Sequence, residues 1–292
     1  MLRGLRGFAK FISAERGVMV FAIAVGAAFL MLDSRAWNQA SYLGIIVFLG
    51  WSGVDAVNNV FDKELDIVSH QSRAEFTRRL GVFGLPVALG LCALSSLLGV
   101  LTTSIYVVFW VIVGIFFGVL YSAPPFRLRQ TLWKPVVNFT VGAVPVLIVA
   151  AFAGATTPSV LVLVAVIGAT TAVNSLWEDL ADYTADLKSG ARTIPIVFGP
   201  CKGMLLTIGL GYALIPLMLL VGIMFNLPMI FYATLMTLTA FVSLRLWLNR
   251  NILGSQDANR LLALGKVLAK DFVIIAIIQT LNLMLSGYMS TR

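Results

Sequence analysis

Charge is what this sequence has least of. Of 292 residues, 12% are Asp, Glu, Lys or Arg, about half the share of a soluble domain. With 59% apolar residues, the chain has more hydrophobic surface than one water-soluble core can hide. Intrinsic disorder is excluded too, because it requires low hydrophobicity and high charge. The two cysteines, Cys92 and Cys201, cannot form a disulfide framework and read as packing residues. No segment reads as a separate soluble domain or a low-complexity tract. The formal charge of +8 would suggest nucleic acid in a soluble protein. Here it points instead to loops on an anionic membrane surface, with no nucleic-acid partner.

What the chain does have is long apolar runs. A membrane-spanning helix needs roughly 20 mostly apolar residues. Nine stretches qualify: 17–32, 41–61, 80–99, 104–120, 136–154, 158–177, 203–222, 227–248 and 270–288. Basic residues precede the first, as in a signal peptide, but no clear small-residue cleavage site ends it, so it reads as a retained helix. Ahead of it, Leu2, Leu5, Phe8, Phe11 and Ile12 alternate with Arg3, Arg6 and Lys10. That pattern suits an interfacial amphipathic helix, as against a frayed tail.

Assigning the inter-span segments alternately to two sides sorts the basic residues. Nineteen of the 21 fall on the side of the N-terminus, and only Arg35 and Arg292 on the other. The positive-inside rule makes the first side cytoplasmic. The chain thus reads as one transmembrane domain over 1–292 in the cell membrane. Its motif-bearing cytoplasmic loops lie at about 62–79 and 178–202.

The acids collect at two span ends. Asn58, Asp62 and Asp66 are spaced by four, with Asp55 and Asn59 close by; Asp179, Asp182 and Asp186 are spaced three and four, with Glu178 adjoining. Each set is expected on one face of a helix continuing past the membrane. The motifs align with an offset of 120 residues, so that Asp62 matches Asp182 and Asp66 matches Asp186. The second helix comes four spans after the first and runs the same way, which suggests a parallel four-helix pseudo-repeat.

Like charges on one helix face repel, and charge at a membrane boundary is costly. Two matching acidic stripes therefore call for a cation. The ligands are hard oxygens, without Cys or His, so zinc and copper fit poorly. Magnesium, which takes few protein ligands and leaves room for phosphate oxygens, fits best. The basic residues Arg16, Lys63, Arg127, Arg129, Lys188 and Arg192 flank these motifs. Carboxylates with basic residues imply a metal-bridged diphosphate. For any one basic residue, contact with the lipid surface is the alternative.

On these residues the sequence resembles the UbiA-type intramembrane prenyltransferases. Their first signature, Asn-Asp-x-x-Asp-x-x-x-Asp, is met here by Asn58-Asn59-Val60-Phe61-Asp62-Lys63-Glu64-Leu65-Asp66. Their second, Asp-x-x-Asp-x-x-x-Asp, is met in full by Asp179, Asp182 and Asp186. Tyr121-Ser122-Ala123-Pro124-Pro125 and the run Lys188 to Pro195 are also similar to the family's segments. Two departures stand out. Asn59 replaces an Asp, and Ile67 to Arg73 replaces an Asn-Arg-Pro-type run, which puts a role for Arg73 in doubt. His70, the only histidine, reads as structural or solvent-exposed.

The resemblance implies an all-α, polytopic bundle of nine transmembrane helices around a central cavity. It implies transfer of a polyprenyl chain, geranyl to geranylgeranyl or longer, from its diphosphate to an acceptor. Two Mg²⁺ ions would bridge the diphosphate to Asn58, Asp62 and Asp66 and to Asp179, Asp182 and Asp186. Arg16, Lys63, Arg127, Lys188 and Arg192 would bind diphosphate. Asp62, Asp66, Asp182 and Asp186 would be catalytic. Tyr121 would be the aromatic group near the reacting carbon, or else an interfacial-belt tyrosine. The acceptor expected is a small aromatic acid such as 4-hydroxybenzoate. Chlorophyllide, a quinone precursor and a glycerol-ether lipid are the alternatives. The rival classes are an intramembrane terpene cyclase and a secondary transporter. Against the transporter, the middles of the spans are nearly free of charge. Pro145 and Pro216, which could kink two spans, have no charge beside them.

Overall fold

A computed structural model describes residues 2–32, 36–63, 71–255 and 257–290. Among them the regular structure is helical, with no strand. In chain order the helices are α1 Leu2–Phe11, α2 Ala14–Met31, α3 Trp37–Phe61, α4 Gln71–Leu80, α5 Gly84–Leu101, α6 Ile105–Ser122 and α7 Lys134–Ala153. There follow α8 Pro158–Ala181, α9 Tyr183–Ser189, α10 Ile194–Phe198, α11 Pro200–Met224, α12 Met229–Leu248, α13 Arg250–Leu253 and α14 Ala258–Ser290.

The solvent these helices require is visible on α6. Ile105, Phe109, Ile112 and Phe116 form an exposed stripe, whereas the opposite stripe of Val107, Val111, Gly114 and Gly118 is buried. Water would not tolerate a continuous apolar outer face, and lipid does. Eight helical runs are long and apolar enough to cross a membrane: α2, α3, Arg73–Leu101 through α4 and α5, α6, α7, α8, α11 and α12. The ninth expected stretch, 270–288, lies inside the 33-residue α14 and is not among these eight. Pro145 and Pro216 sit within the unbroken helices α7 and α11, so neither divides a span.

The chain divides into two compact units, Met1–Leu128 with Val144–Thr156, and Arg129–Ala143 with Thr157–Arg292. In the first, α3 is the central helix, packed between α2 and α5 with α6 also against it. The amphipathic α1 turns inward at its end. Phe11 and Ile12 are buried in a core with Ala56, Val57 and Ala88, the Phe11 ring lying tilted at 6.3 Å from that of Phe76 in α4, while Leu5 and Phe8 stay exposed. The expected loop at 62–79 is therefore helical from Gln71 onward. In the second unit α8 is central, packed on α11 and α14 around a core of Val173, Trp177, Leu180, Met204 and Leu268. A cavity of about 130 Å³ lies among α8, α11, α12 and α14; Arg245 and Asp271, paired at 2.9 Å, are part of its lining.

The approach of α3 to α5 depends on Gly53. A Cβ there would sit 2.9 Å from the Cys92 backbone nitrogen and 3.0 Å from the Ala88 carbonyl oxygen, and neither atom can rotate away. Gly53→Ala is expected to destabilise the protein by about 1–3 kcal/mol or more. Gly90→Ala, whose Cβ meets nothing within 4 Å, is expected to be neutral. Thermal unfolding in detergent compares the two, and equal melting temperatures would contradict the close approach.

Candidate functional site

The first motif lies at the end of the central helix of its unit. α3 stops at Phe61, and Asp62 caps it with φ −99° and ψ 4°, its N–H donating to the Asn58 carbonyl at 2.9 Å. The expected continuation of α3 past Asp62 is thus corrected, because the helix ends there, with Asn58 and Asp62 one turn apart. The physical reason is electrostatic. Carboxylates at a helix C-terminus face the negative end of its dipole, and stacked like charges repel. Asp66 and His70 lie outside the described residues.

Asp62 is only 1% exposed, and Ser122, the last residue of α6, donates its hydroxyl to Asp62 Oδ2 at 3.1 Å. One turn before, Asn58 Oδ1 is buried with no hydrogen-bond partner among the described residues. Lys63 is half-buried directly after Asp62. Asn59 explains its own departure from the family pattern. Its amide Nδ2 donates to the Phe11 carbonyl at 2.7 Å, tying α3 to the end of α1. An aspartate there would set a carboxylate against a carbonyl. Tyr121 is half-buried next to Ser122. Arg127 has φ 41°, and its buried Nε lacks a hydrogen-bond partner among the described residues. Arg16 is exposed in the first turn of α2.

The second motif repeats this local geometry 120 residues later. α8 stops at Ala181, and Asp182 caps it with φ −97° and ψ 7°, its N–H donating to the Glu178 carbonyl at 2.9 Å. Here too the expected continuation of one helix is corrected. Asp179 lies in α8, Asp182 at the joint and Asp186 in the separate helix α9, where its N–H donates back to the Asp182 carbonyl at 3.0 Å. Asp179 is fully buried. Its Oδ1 accepts from the ammonium of Lys134, and its Oδ2 is buried without a hydrogen-bond partner among the described residues. Asn174 Nδ2 donates to Glu178 Oε1 at 3.1 Å. Asp182 is exposed and Asp186 half-buried. Burial pushes the Asp186 carboxyl above the usual carboxylate range and the Asp182 charge adds to this, whereas Lys134 and Arg129 pull it back. Lys188 and Arg192 are exposed, and the Arg192 N–H donates to the Gln130 carbonyl at 2.8 Å. The expected loop at 178–202 is in fact the end of α8 followed by α9, α10 and the start of α11.

Two polar partners escape a reading of the motifs alone. Ser122 stands inside the quoted Tyr-Ser segment but carries no sign of its bond to Asp62. Lys134 meets Asp179 across 45 residues, with no local signal. Among the described residues no three His, Cys, Asp or Glu side chains form a group able to hold a metal by themselves. The oxygen-only donor set and the buried, unmatched Asn58 Oδ1 and Asp179 Oδ2 fit Mg²⁺, which completes its octahedron with water and phosphate oxygens.

Known proteins agree with this architecture. Solved structures share the fold over nearly the whole chain. One, from work on digeranylgeranylglyceryl phosphate synthase in membranes, has a TM-score of 0.71 at 17% identity, covering 99% of this chain and 100% of its own. A UbiA homolog from Archaeoglobus fulgidus bound to DMAPP and Mg²⁺ has a TM-score of 0.65 at 15% identity, covering 99% and 98%. An apo UbiA homolog from Aeropyrum pernix K1 has a TM-score of 0.63 at 17% identity, covering 89% and 98%. No curated protein matches the chain by sequence. The model of the UbiA prenyltransferase family matches residues 19–267. The chain is a multi-pass membrane protein and belongs to the UbiA prenyltransferase family.

Proposed function

We propose that this prenyltransferase moves a polyprenyl chain from its diphosphate to a small aromatic acceptor resembling 4-hydroxybenzoate, with Mg²⁺ as cofactor. The observation that carries the reading is the burial of motif oxygens at two equivalent helix ends of an otherwise apolar chain, with Asn58 Oδ1 and Asp179 Oδ2 lacking hydrogen-bond partners among the described residues. Buried polar groups of this kind are costly unless a ligand satisfies them. The Archaeoglobus fulgidus homolog, bound to DMAPP or GPP with Mg²⁺, supports the same cofactor and donor class here.

In this reading Asn58, Asp62 and Asp66 would hold one Mg²⁺, and Asp179, Asp182 and Asp186 would hold another. Bound Mg²⁺ supplies positive charge against the charge that grows on the leaving diphosphate. Ser122 fixes the Asp62 carboxylate through Oδ2, so it is oriented before substrate arrives. Lys63 and Arg127, both half-buried, donate to diphosphate oxygens; the exposed Arg16, Lys188 and Arg192 draw the anionic head from the membrane surface. Tyr121 offers its ring face to the allylic carbon as the C–O bond ionises. The distribution of basic residues supports a cytoplasmic N-terminus and cytoplasmic motifs.

The test is a product assay in nanodiscs with geranylgeranyl diphosphate and separate aromatic, chlorophyllide, quinone-precursor and glycerol-ether acceptors. The expected result is an EDTA-sensitive adduct with the aromatic acid, identified by mass. An adduct with another acceptor class corrects the acceptor. A product formed without acceptor favours a cyclase. Substrate flux into vesicles without turnover favours a transporter.

A further inference from the structure

We propose that Lys134 is a built-in counter-ion of the second acidic motif. In the metal-free protein its ammonium occupies the cation position at Asp179, and Mg²⁺ displaces it on binding. The inference rests on the reading of Asp179 as a metal ligand.

Both partners are out of solvent, Lys134 at 7% exposure and Asp179 at 0%. A buried carboxylate without a cation is expensive, so metal-free protein needs a substitute charge at this place. The substitution is incomplete. Lys134 satisfies Oδ1, while Oδ2 remains buried without a hydrogen-bond partner among the described residues. An ammonium is a point donor, whereas a divalent ion meets both oxygens or draws in further ligands. The lysine is also held where its own helix disfavours it. Lys134 is the first residue of α7, at the positive end of the helix dipole. Its placement there is explained by Asp179 and not by α7. Its charge also acts on Asp186, a second carboxylate of the same motif. The Arg245–Asp271 pair in the same unit contains no motif carboxylate and serves as a control.

Mn²⁺ binding, followed by electron paramagnetic resonance on the purified full chain in nanodiscs, separates this role from a merely structural ion pair. Lys134→Met is expected to tighten Mn²⁺ binding roughly ten- to hundredfold, the worth of a charge-assisted hydrogen bond that the metal no longer has to break. The melting temperature of this variant should fall without metal and recover on adding Mg²⁺ by more than wild type does. Lys134→Arg, which keeps the charge and can grip both carboxylate oxygens, should bind Mn²⁺ no more tightly than wild type. Arg245→Gln should leave Mn²⁺ affinity unchanged. If Lys134→Met does not fold, Lys134→Gln keeps a hydrogen bond to Asp179 and is read the same way. Unchanged or weaker Mn²⁺ binding in the neutral variants, with wild type binding normally, overturns the counter-ion role alone. A wild-type protein that binds no Mn²⁺ overturns the metal reading and this inference together.

Discussion

Replacing Asp62 by alanine is expected to lower kcat/KM for Mg²⁺-dependent diphosphate release by at least about a thousandfold, equivalent to some 4 kcal/mol of transition-state stabilisation. The carboxylate is 1% exposed and held through Oδ2 by Ser122, so alanine leaves that buried position without its oxygens. Removing it also strands the Ser122 hydroxyl, which costs about 1 kcal/mol of stability. The loss in rate is much larger than that, and the two effects are separable. Asp62→Asn keeps the volume and an acceptor for Ser122 but drops the charge. If the carboxylate serves a metal, the asparagine variant melts like wild type yet is almost as inactive as the alanine variant. EDTA should then add little to the loss in either variant. Steady-state diphosphate release and thermal unfolding on the same preparations decide the matter. Full activity in Asp62→Asn would remove this residue from the metal site.

Much of the fold was legible because a bilayer leaves the backbone few choices. In lipid every backbone polar group must be satisfied within its own segment, so apolar runs become continuous helices. The expected stretches 158–177 and 227–248 accordingly appear as Pro158–Ala181 and Met229–Leu248. The helix breaks at Asp62 and Asp182 were not legible. Spacings of three and four describe a face only if the helix continues; repulsion between the stacked carboxylates disfavours continuation but does not name the residue at which the helix stops. What the sequence did carry was the 120-residue offset, and both breaks obey it. Amphipathic α1 was legible as a helix, but periodicity does not name the solvent of each face. Leu5 and Phe8 point outward, while Phe11 and Ile12 join the protein core. Side-chain pairs distant in sequence were invisible for a simple reason. Ser122 with Asp62, Asn59 with Phe11 and Lys134 with Asp179 are products of tertiary packing. The Asn at position 59 was visible as an oddity, but its reason, a donor facing a carbonyl, needed the structure.

Asp179→Leu is expected to harm both stability and activity, and a second substitution should separate the two. The variant leaves the Lys134 ammonium buried opposite no carboxylate on its former partner, a defect that costs about 3–5 kcal/mol in buried pairs. Metal-free protein should therefore unfold at lower temperature or lower denaturant than wild type. Adding Lys134→Met to Asp179→Leu replaces the ion pair by two apolar side chains of similar size. Such replacements are often neutral or stabilising, because the desolvation cost of both charges disappears. The double variant is thus expected to regain most of the lost stability. It should nevertheless remain inactive, since no packing substitute provides the oxygen that Mg²⁺ requires. A double variant that is stable and active would show that Asp179 is a structural partner of Lys134 and nothing more. One that stays unstable would mean that the pair is held by more than its own two charges, and a double-mutant cycle with the two single variants would measure by how much. Recovered stability without recovered turnover is the outcome that assigns the buried carboxylate to the chemistry.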